Sequence, residues 1–448
     1  MRRLVGWSGI GLGSMFGLFG LSQSNGYFEL HSFGNTQFQS WMSFMVWLMS
    51  VLQITLILLL SIVSAGTVLA QAEMEPRQAP NADVLTQERW QQVDAAVKRG
   101  LEWLVSQQGE DGSYETIERA QPAVTSLCLM AFLAQGESLV DGKDQQALAK
   151  AIEFISDQQK PNGLIATVAP QAVPIPRDPA SSDGLATSPD PNMISVTAVY
   201  NHAISALALC EAYGQCAPEQ SEKLAPVIEK AIAATLEMQR WGGKKKSDVG
   251  GWRYLAVHFA EDSDLSVTGW QLMFLRSARD AGFDVPKESI DAGVKYVENC
   301  VVKNKNRRAH SYLATRSKTV TRAMAGTGIL AMAHAGKHNS PAALASGEWI
   351  LNHDFKTYDG DKHAYGVEWL GDRYHYGAAL CAQGMYQLGG KYWNRFFPPL
   401  VDALLANQQE SGAWLTQGKD QGYGSCYTTA MTVLALSAPN QMLPIFQR

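Results

Sequence analysis

One phrase occurs near both ends of the chain body, and it restricts the fold more than any other feature. The first copy, Ala96 to Tyr114, places Val97, Leu101, Leu104 and Val105 on one helical face and ends at Gln108. Asp111-Gly112 follows as a turn, with glycine supplying the positive φ that such a turn needs. A ring, Tyr114, comes two residues later. The second copy, Leu404 to Trp414, keeps the spacing: Gln408, then Gly412 four residues on, then the ring of Trp414. A chain of 448 residues with such an internal repeat grows by stacking units rather than by enlarging one core.

The sequence between the two copies divides into paired helical segments. In each pair a first helix with large apolar residues leads to the turn, and a second helix rich in small residues follows. The first helices end at Gln108, Gln159, Gln239, Asn299, His353 and Gln408. The second helices run Val124 to Gly136, Val196 to Gly214, Val267 to Gly282, Val320 to Gly336, Tyr374 to Gly389 and Cys426 to Ser437. Thr or Ser near their starts suits N-caps, and Gly at most of their ends suits a left-handed C-cap. An open stack of six hairpins needs atypical polar units at both ends. Here the end units carry the two best copies of the phrase, so the pattern predicts an all-α barrel closed on itself. Small-residue helices lie inside it and the more charged helices outside.

The N-terminal part reads as targeting sequence. Residues 1–41 form an uncertain extension, since Met42 and Met49 also stand close before the apolar run and either is a candidate start. Residues 42–70 form a signal peptide or membrane anchor: Phe44 to Ala70 carries no charge, and Val68-Leu69-Ala70 has the small-residue punctuation of a cleavage site. Both readings place the body on the exported side, soluble after cleavage or held by one N-terminal helix. Residues 71–88 read as a linker, 89–440 as the helical body and 441–448 as a tail. The Pro-rich stretch 168–191 reads as a flap across one face of the body.

A net charge of −5 gives no reason to expect a nucleic-acid partner. The basic runs Lys244 to Lys246 and Lys303 to Arg308 read as solvated loops. Six cysteines in so long a chain do not make a disulfide framework. Cys128, Cys210, Cys381 and Cys426 sit in apolar helical patterns as small hydrophobes, and only Cys210 and Cys216 are placed to pair.

Arg99-Gly100…Gln108…Gly112-Ser113-Tyr114 and Gln408…Gly412-Ala413-Trp414 resemble the Gln-Trp repeats of the squalene–hopene cyclase and protein prenyltransferase superfamily. The resemblance covers about residues 90–440 and implies an (α/α)6 toroid of six helical hairpins. Within it Gln108, Tyr114, Gln408 and Trp414 are structural: the amide bonds orphan N–H groups at a neighbouring helix start, and the ring shields that contact. Cyclases of this type carry an Asp-x-Asp-Asp motif at the start of an inner helix. Asp262 and Asp264 match its first two acids and Leu265 stands in place of the third. The resemblance therefore implies Asp264 as proton donor to an alkene or epoxide, with Asp262 supporting it. The plainer reading is that Asp264 or Ser266 caps the helix and Asp262 is solvated.

Trp252, Tyr254, Trp270, Trp369, Tyr374, Tyr376, Tyr423 and Tyr427 fall in loops or at inner-helix starts, so a closed barrel brings many of them to one mouth. Such an aromatic pocket suits an isoprenoid or the faces of sugar rings; alternatively the rings only plug the barrel. The zinc-dependent prenyltransferases carry an Asp-x-Cys-Tyr segment that Gly424-Ser425-Cys426-Tyr427 resembles, but Gly424 replaces the metal-binding Asp. His353, His363 and His375, with Asp354, Asp359, Asp361 and Asp372, match no helical ligand pair and read as loop residues. No cofactor and no metal site are expected. A Cys-Gly-Glu-Gln segment of the thioester-type toroids is absent. Squalene cyclases use two toroids and this chain has length for one, which must use its own bore or a partner. Two functions stay open: a cyclase-like enzyme acting on an apolar isoprenoid, and an exported binding or scaffold toroid without catalysis whose ligand is a glycan or a protein.

Overall fold

The computed structural model describes residues 43–45, 47–51, 53, 79–80, 82–170, 191–241, 244–255, 263–302, 308–315, 319–358, 373–416 and 418–447. The chain divides into two units, Met1–Glu75 and Pro76–Arg448. In the first unit the described residues are helical, and among the described residues no helix is long and apolar enough to cross a membrane. The extension 1–41, most of the apolar run to residue 70, half of the linker, most of the flap, Asp262, Asp359, Asp361, His363, Trp369 and Asp372 lie outside the described residues.

The second unit is a ring of helical hairpins. Its outer helices are α1 (Gln87–Ser106), α3 (Gln145–Asp157), α5 (Pro218–Arg240), α7 (Lys287–Asn299), α9 (Pro341–Leu351) and α11 (Gly390–Ala406). Between them in sequence come the inner helices α2 (Ala123–Leu133), α4 (Pro191–Tyr213), α6 (Leu265–Asp280), α8 (Arg322–His334), α10 (Tyr374–Leu388) and α12 (Gly424–Leu436). Each inner helix packs on the next, and α12 packs on α2, which closes the circle. Every described residue of α2 and α12 beyond the first turn is buried, as expected of helices apolar all round. Outer helices α3, α7 and α11 instead bury one stripe. Small residues set the inner spacing: a Cβ on Gly326 of α8 would lie 2.9 Å from the backbone nitrogen of Cys381 in α10.

The repeated phrase works as a clasp from one outer helix to the next, with a chemistry opposite to the expected one. The glutamine amide donates to carbonyls rather than accepting from orphan N–H groups. Gln108 Nε2 donates to Gly112 O and to Ala147 O of α3; Gln159 to Gly163 O and Val227 O of α5; Gln239 to Gly250 O and Ser289 O of α7. Gln408 closes the series by donating to Gly412 O and to Ala96 O of α1, both at 2.8 Å. Asn299 departs from the pattern and reaches back to Ser247 O. The ring residues anchor the inner helices: the backbone N–H of Tyr114, Trp252 and Trp414 donates at 3.0 Å to Thr125, Thr268 and Thr429 respectively. These threonines therefore bind the clasp instead of capping their helices, whereas Thr321 does cap α8. Glycines with positive φ end α2, α6, α8 and α10 at Gly136, Gly282, Gly336 and Gly389, as expected.

Three boundaries differ from the sequence reading. α4 begins at Pro191, where a missing N–H is harmless in a first turn. α11 starts at Gly390 and runs through Pro398 and Pro399, because burial of Tyr392, Trp393, Phe396, Phe397 and Leu400 outweighs the lost backbone bonds. The segment after residue 440 is no free tail: Leu443, Ile445 and Phe446 are buried, and Gln387 Nε2 donates to Phe446 O at 2.5 Å. It closes the C-terminal ends of the inner helices. All six cysteines are free, Cys210 and Cys216 included.

Candidate functional site

The inner helices enclose a cavity of about 370 Å³ near their N-terminal halves. Its apolar lining comes from Ala123, Val124 and Leu127 of α2, Ile204 of α4, Met324 of α8 and Met431 of α12. Its aromatic lining comes from Tyr200, Tyr254, Trp270, Tyr312, Tyr376, Tyr423 and Tyr427. Among the residues expected at a mouth, Tyr254, Trp270, Tyr376, Tyr423 and Tyr427 thus face one lumen. Trp252 does not. It is the ring of a clasp, fully buried, with its indole N–H donating to Thr235 O at 2.8 Å. Tyr374 is also withdrawn, packed on Phe355 with its hydroxyl donating to Phe355 O at 2.9 Å. Gln108, Tyr114, Gln408 and Trp414 sit in the clasps described above.

Asp264 is fully buried and is the N-cap of α6. Its Oδ1 accepts from Val267 N and from Ser266 Oγ, each at 2.8 Å. Its Oδ2 accepts from Arg253 at 2.8 Å, forming an ion pair in which the arginine side chain is only 9% exposed. The carboxylate therefore sits behind the lumen wall, in the capping role, and Ser266 donates to it instead of capping. Arg253 lies 4.4 Å from the Tyr254 ring centre and 5.4 Å from that of Tyr312.

The wall in front of this pair is a chain of hydroxyls. Arg253 donates to Tyr312 Oη at 3.2 Å, and the Tyr312 and Tyr254 hydroxyls are 2.5 Å apart. The Tyr254 ring lies beside that of Tyr200, with centres 6.4 Å apart, and the Tyr200 hydroxyl is bonded to Ser266 Oγ. Burial, with the nearby charge of Asp264 adding to it, pushes Tyr254 up to about 12 and raises Tyr200 and Tyr312 well above the ordinary phenol value. The phenols are accordingly protonated at every physiological pH. One turn beyond Ser266 on α6, the Trp270 indole N–H donates to Tyr376 Oη of α10 at 2.9 Å. Arg373 pairs with Asp420 and stacks 5.2 Å from the Tyr423 ring centre. Tyr200, Tyr312 and Arg373 were not singled out from the sequence. Tyr200 sits inside an alanine-rich helix and Tyr312 in a loop, so no local pattern marks them.

Among the described residues no group of three or more His, Cys, Asp or Glu side chains is placed to hold a metal. Burial pushes the Cys426 thiol up to about 12, which suits a packed hydrophobe rather than a thiolate ligand. His375 is buried against Tyr358 at 2.9 Å, and His353 stacks on Trp349.

No family model and no curated protein matches the chain. Solved structures do. A single-site variant of a type II terpene cyclase from Scytonema, in its apo form, aligns with a TM-score of 0.51 at 14% identity over 80% of this chain and 100% of its own. An inactive variant of an α-1,6-mannanase from a Salegentibacter species, in complex with α-1,6-mannotriose, aligns at 0.51 and 11% identity over 78% of this chain and 99% of its own. A glycosidase variant aligns at 0.50 and 11% identity over 81% and 99%. Cyclase and glycosidase share one architecture, so the likeness establishes that this chain folds as a terpene-cyclase-type α/α toroid.

Proposed function

We propose that the toroid holds one apolar, isoprenoid-type small molecule in its lumen and acts as a binding protein. The observation that carries this reading is a single cavity with an apolar floor of Val124, Leu127, Ile204, Met324 and Met431 beneath a belt of tyrosines and Trp270. Its volume of about 370 Å³ falls in the range of roughly 300–1,000 Å³ typical of small-molecule sites. Unsaturated chains gain from such rings by contact area and by face-to-edge packing. Cyclisation by proton transfer from Asp264 would require the carboxyl to leave Arg253, surrender its helix cap and pass the tyrosine wall. The ion pair supports the binding reading over the catalytic one.

Native mass spectrometry of the full-length chain, incubated with farnesol, geranylgeraniol or α-1,6-mannotriose, tests the proposal. One equivalent of prenyl compound should be retained, and Ala123→Trp, which projects into the lumen, should abolish retention without unfolding the ring. Retention of the sugar alone would overturn the reading. Recovery of a cyclised product from the bound fraction would replace it with the enzymatic one.

A further inference from the structure

The lumen is short, and its lower end is braced. Along α4 its lining runs from Val196 to Ile204, eight residues on, which at a rise of about 1.5 Å each spans about 12 Å. On α2 the lining stops at Leu127 and on α12 at Met431, so Leu127, Ile204 and Met431 form its lowest layer. The residues one turn further along these helices, Met130, Leu207 and Leu434, are buried and belong to the core. Two hydrogen bonds knit the helices at this level. The hydroxyls of Ser126 and Ser205, each next to a floor residue in sequence, meet at 2.8 Å between α2 and α4. Gln383 Nε2 of α10 donates at 3.1 Å to the Leu434 carbonyl, one turn past Met431 on α12. A ligand pressing on the floor therefore meets close-packed core, which does not part without breaking these bonds.

Two measures of this space agree on what it can hold. An extended carbon chain advances roughly 1.3 Å per bond, because bonds of about 1.5 Å zigzag, so a depth of about 12 Å takes up about nine bonds. At roughly 30 Å³ for each methylene-sized group, the share that one water takes in the liquid, a cavity of about 370 Å³ holds about twelve groups. Both place the limit between two and three isoprene units, roughly ten to fifteen carbons. A fourth unit finds no room above the floor. It stays at the mouth in water, where it adds no apolar burial and hence no affinity.

Resting on the binding function proposed above, we infer that Leu127, Ile204 and Met431 set the length limit of the ligand, admitting no more than three isoprene units into the lumen. Quenching of tryptophan fluorescence in the full-length chain reads the occupancy, since Trp270 lines the cavity. Geraniol, farnesol and geranylgeraniol carry the same hydroxyl and differ by one isoprene unit at each step. Affinity should rise at least about tenfold from geraniol to farnesol, as the third unit is buried, and by less than about twofold from farnesol to geranylgeraniol. In Met431→Ala, which removes the flexible end of one floor side chain, geranylgeraniol should bind about tenfold tighter than farnesol. A step from farnesol to geranylgeraniol as steep as the one before it would overturn the length limit and leave the binding function standing. A plateau unchanged in a folded Met431→Ala would overturn the assignment of the limit to this floor. Binding of none of the three alcohols would overturn the binding function itself. Should Met431→Ala not fold, the wild-type series alone decides whether the limit exists.

Discussion

Gly412 in the last hairpin lies against Arg99 in the first helix so closely that a Cβ on Gly412 would stand 2.3 Å from the Arg99 carbonyl oxygen. The same contact joins Gly112 to Lys150, Gly163 to Lys230 and Gly250 to Ala292, each at 2.2 to 2.3 Å. The clasp that links neighbouring hairpins is therefore also the clasp that shuts the ring. Around Gly412 it is reinforced by Arg99 donating to Gln408 Oε1 and by an ion pair between Arg89 and Asp402.

Gly412→Ala should destabilise the toroid by about 2–4 kcal/mol, combining a φ of +99° that alanine resists with a backbone collision that cannot relax by side-chain rotation. Gly214→Ala is the matched control. Its added methyl meets nothing within 4 Å, and the residue is not among those with positive φ. Urea unfolding followed by circular dichroism should show a lowered midpoint for the first and none for the second. Equal midpoints would mean that the first and last hairpins are not held by this contact.

Asp264→Asn separates structural from catalytic use of the buried acid. The amide oxygen can still accept from Val267, but Arg253 loses the buried carboxylate it pairs with at 2.8 Å. Breaking a buried pair from one side costs about 3–5 kcal/mol. Removing both charges in Arg253→Met with Asp264→Asn should recover a large part of that loss, measured again as the urea midpoint. A double variant no more stable than the single one would show that the ion pair is not what holds the mouth of α6.

The ring was legible because its signal is local and repeated. Gln108 and Gln408, each four residues before a glycine, announced the clasp, and the two best copies at the two ends announced closure. The direction of the glutamine bonds was not legible. An amide carries donors and an acceptor, and only the placement of Ala147 O or Ala96 O decides which is used. The site was half legible for a related reason. Tyr254, Trp270 and Tyr376 flank the starts of inner helices, where spacing places them, while Trp252 has the same neighbourhood in sequence but the motif turns it into the core. Tyr200 and Tyr312 line one cavity from positions about 110 residues apart in the chain, a separation that no window of sequence contains. Arg253 next to Tyr254 was visible as residues, yet its pairing with Asp264 depends on the loop bending back onto α6.

The pH dependence of stability follows from three histidines and one glutamate. Burial pushes His202 and His310 down to about 4 and His375 down to about 3. In His202 the neutral form is built in: Ile165 N–H donates to Nδ1, so the ring proton sits on Nε2 facing Thr235. The unfolded chain takes up protons on these residues near 6.5, whereas the folded chain resists until about 4. Between those values the unfolded state binds more protons, so stability rises with pH, by up to about 1.4 kcal/mol per pH unit for each histidine. Glu211 acts in the opposite sense. Buried between α4 and α6, it accepts from Ser277 Oγ at 2.5 Å and from Ile445 N at 3.3 Å, and burial pushes it up to about 7. Its stabilising contribution is complete below 4.5 and is lost as pH rises through 7, which offsets part of the histidine slope. Urea unfolding at about pH 5, 6 and 7 should therefore show stability increasing with pH in the wild type. Glu211→Gln removes the opposing titration while keeping an acceptor for Ile445, so its slope over the same interval should be steeper. A slope in the variant equal to or shallower than that of the wild type would mean that Glu211 exchanges its proton freely with solvent and that the C-terminal segment does not seal this end of the toroid.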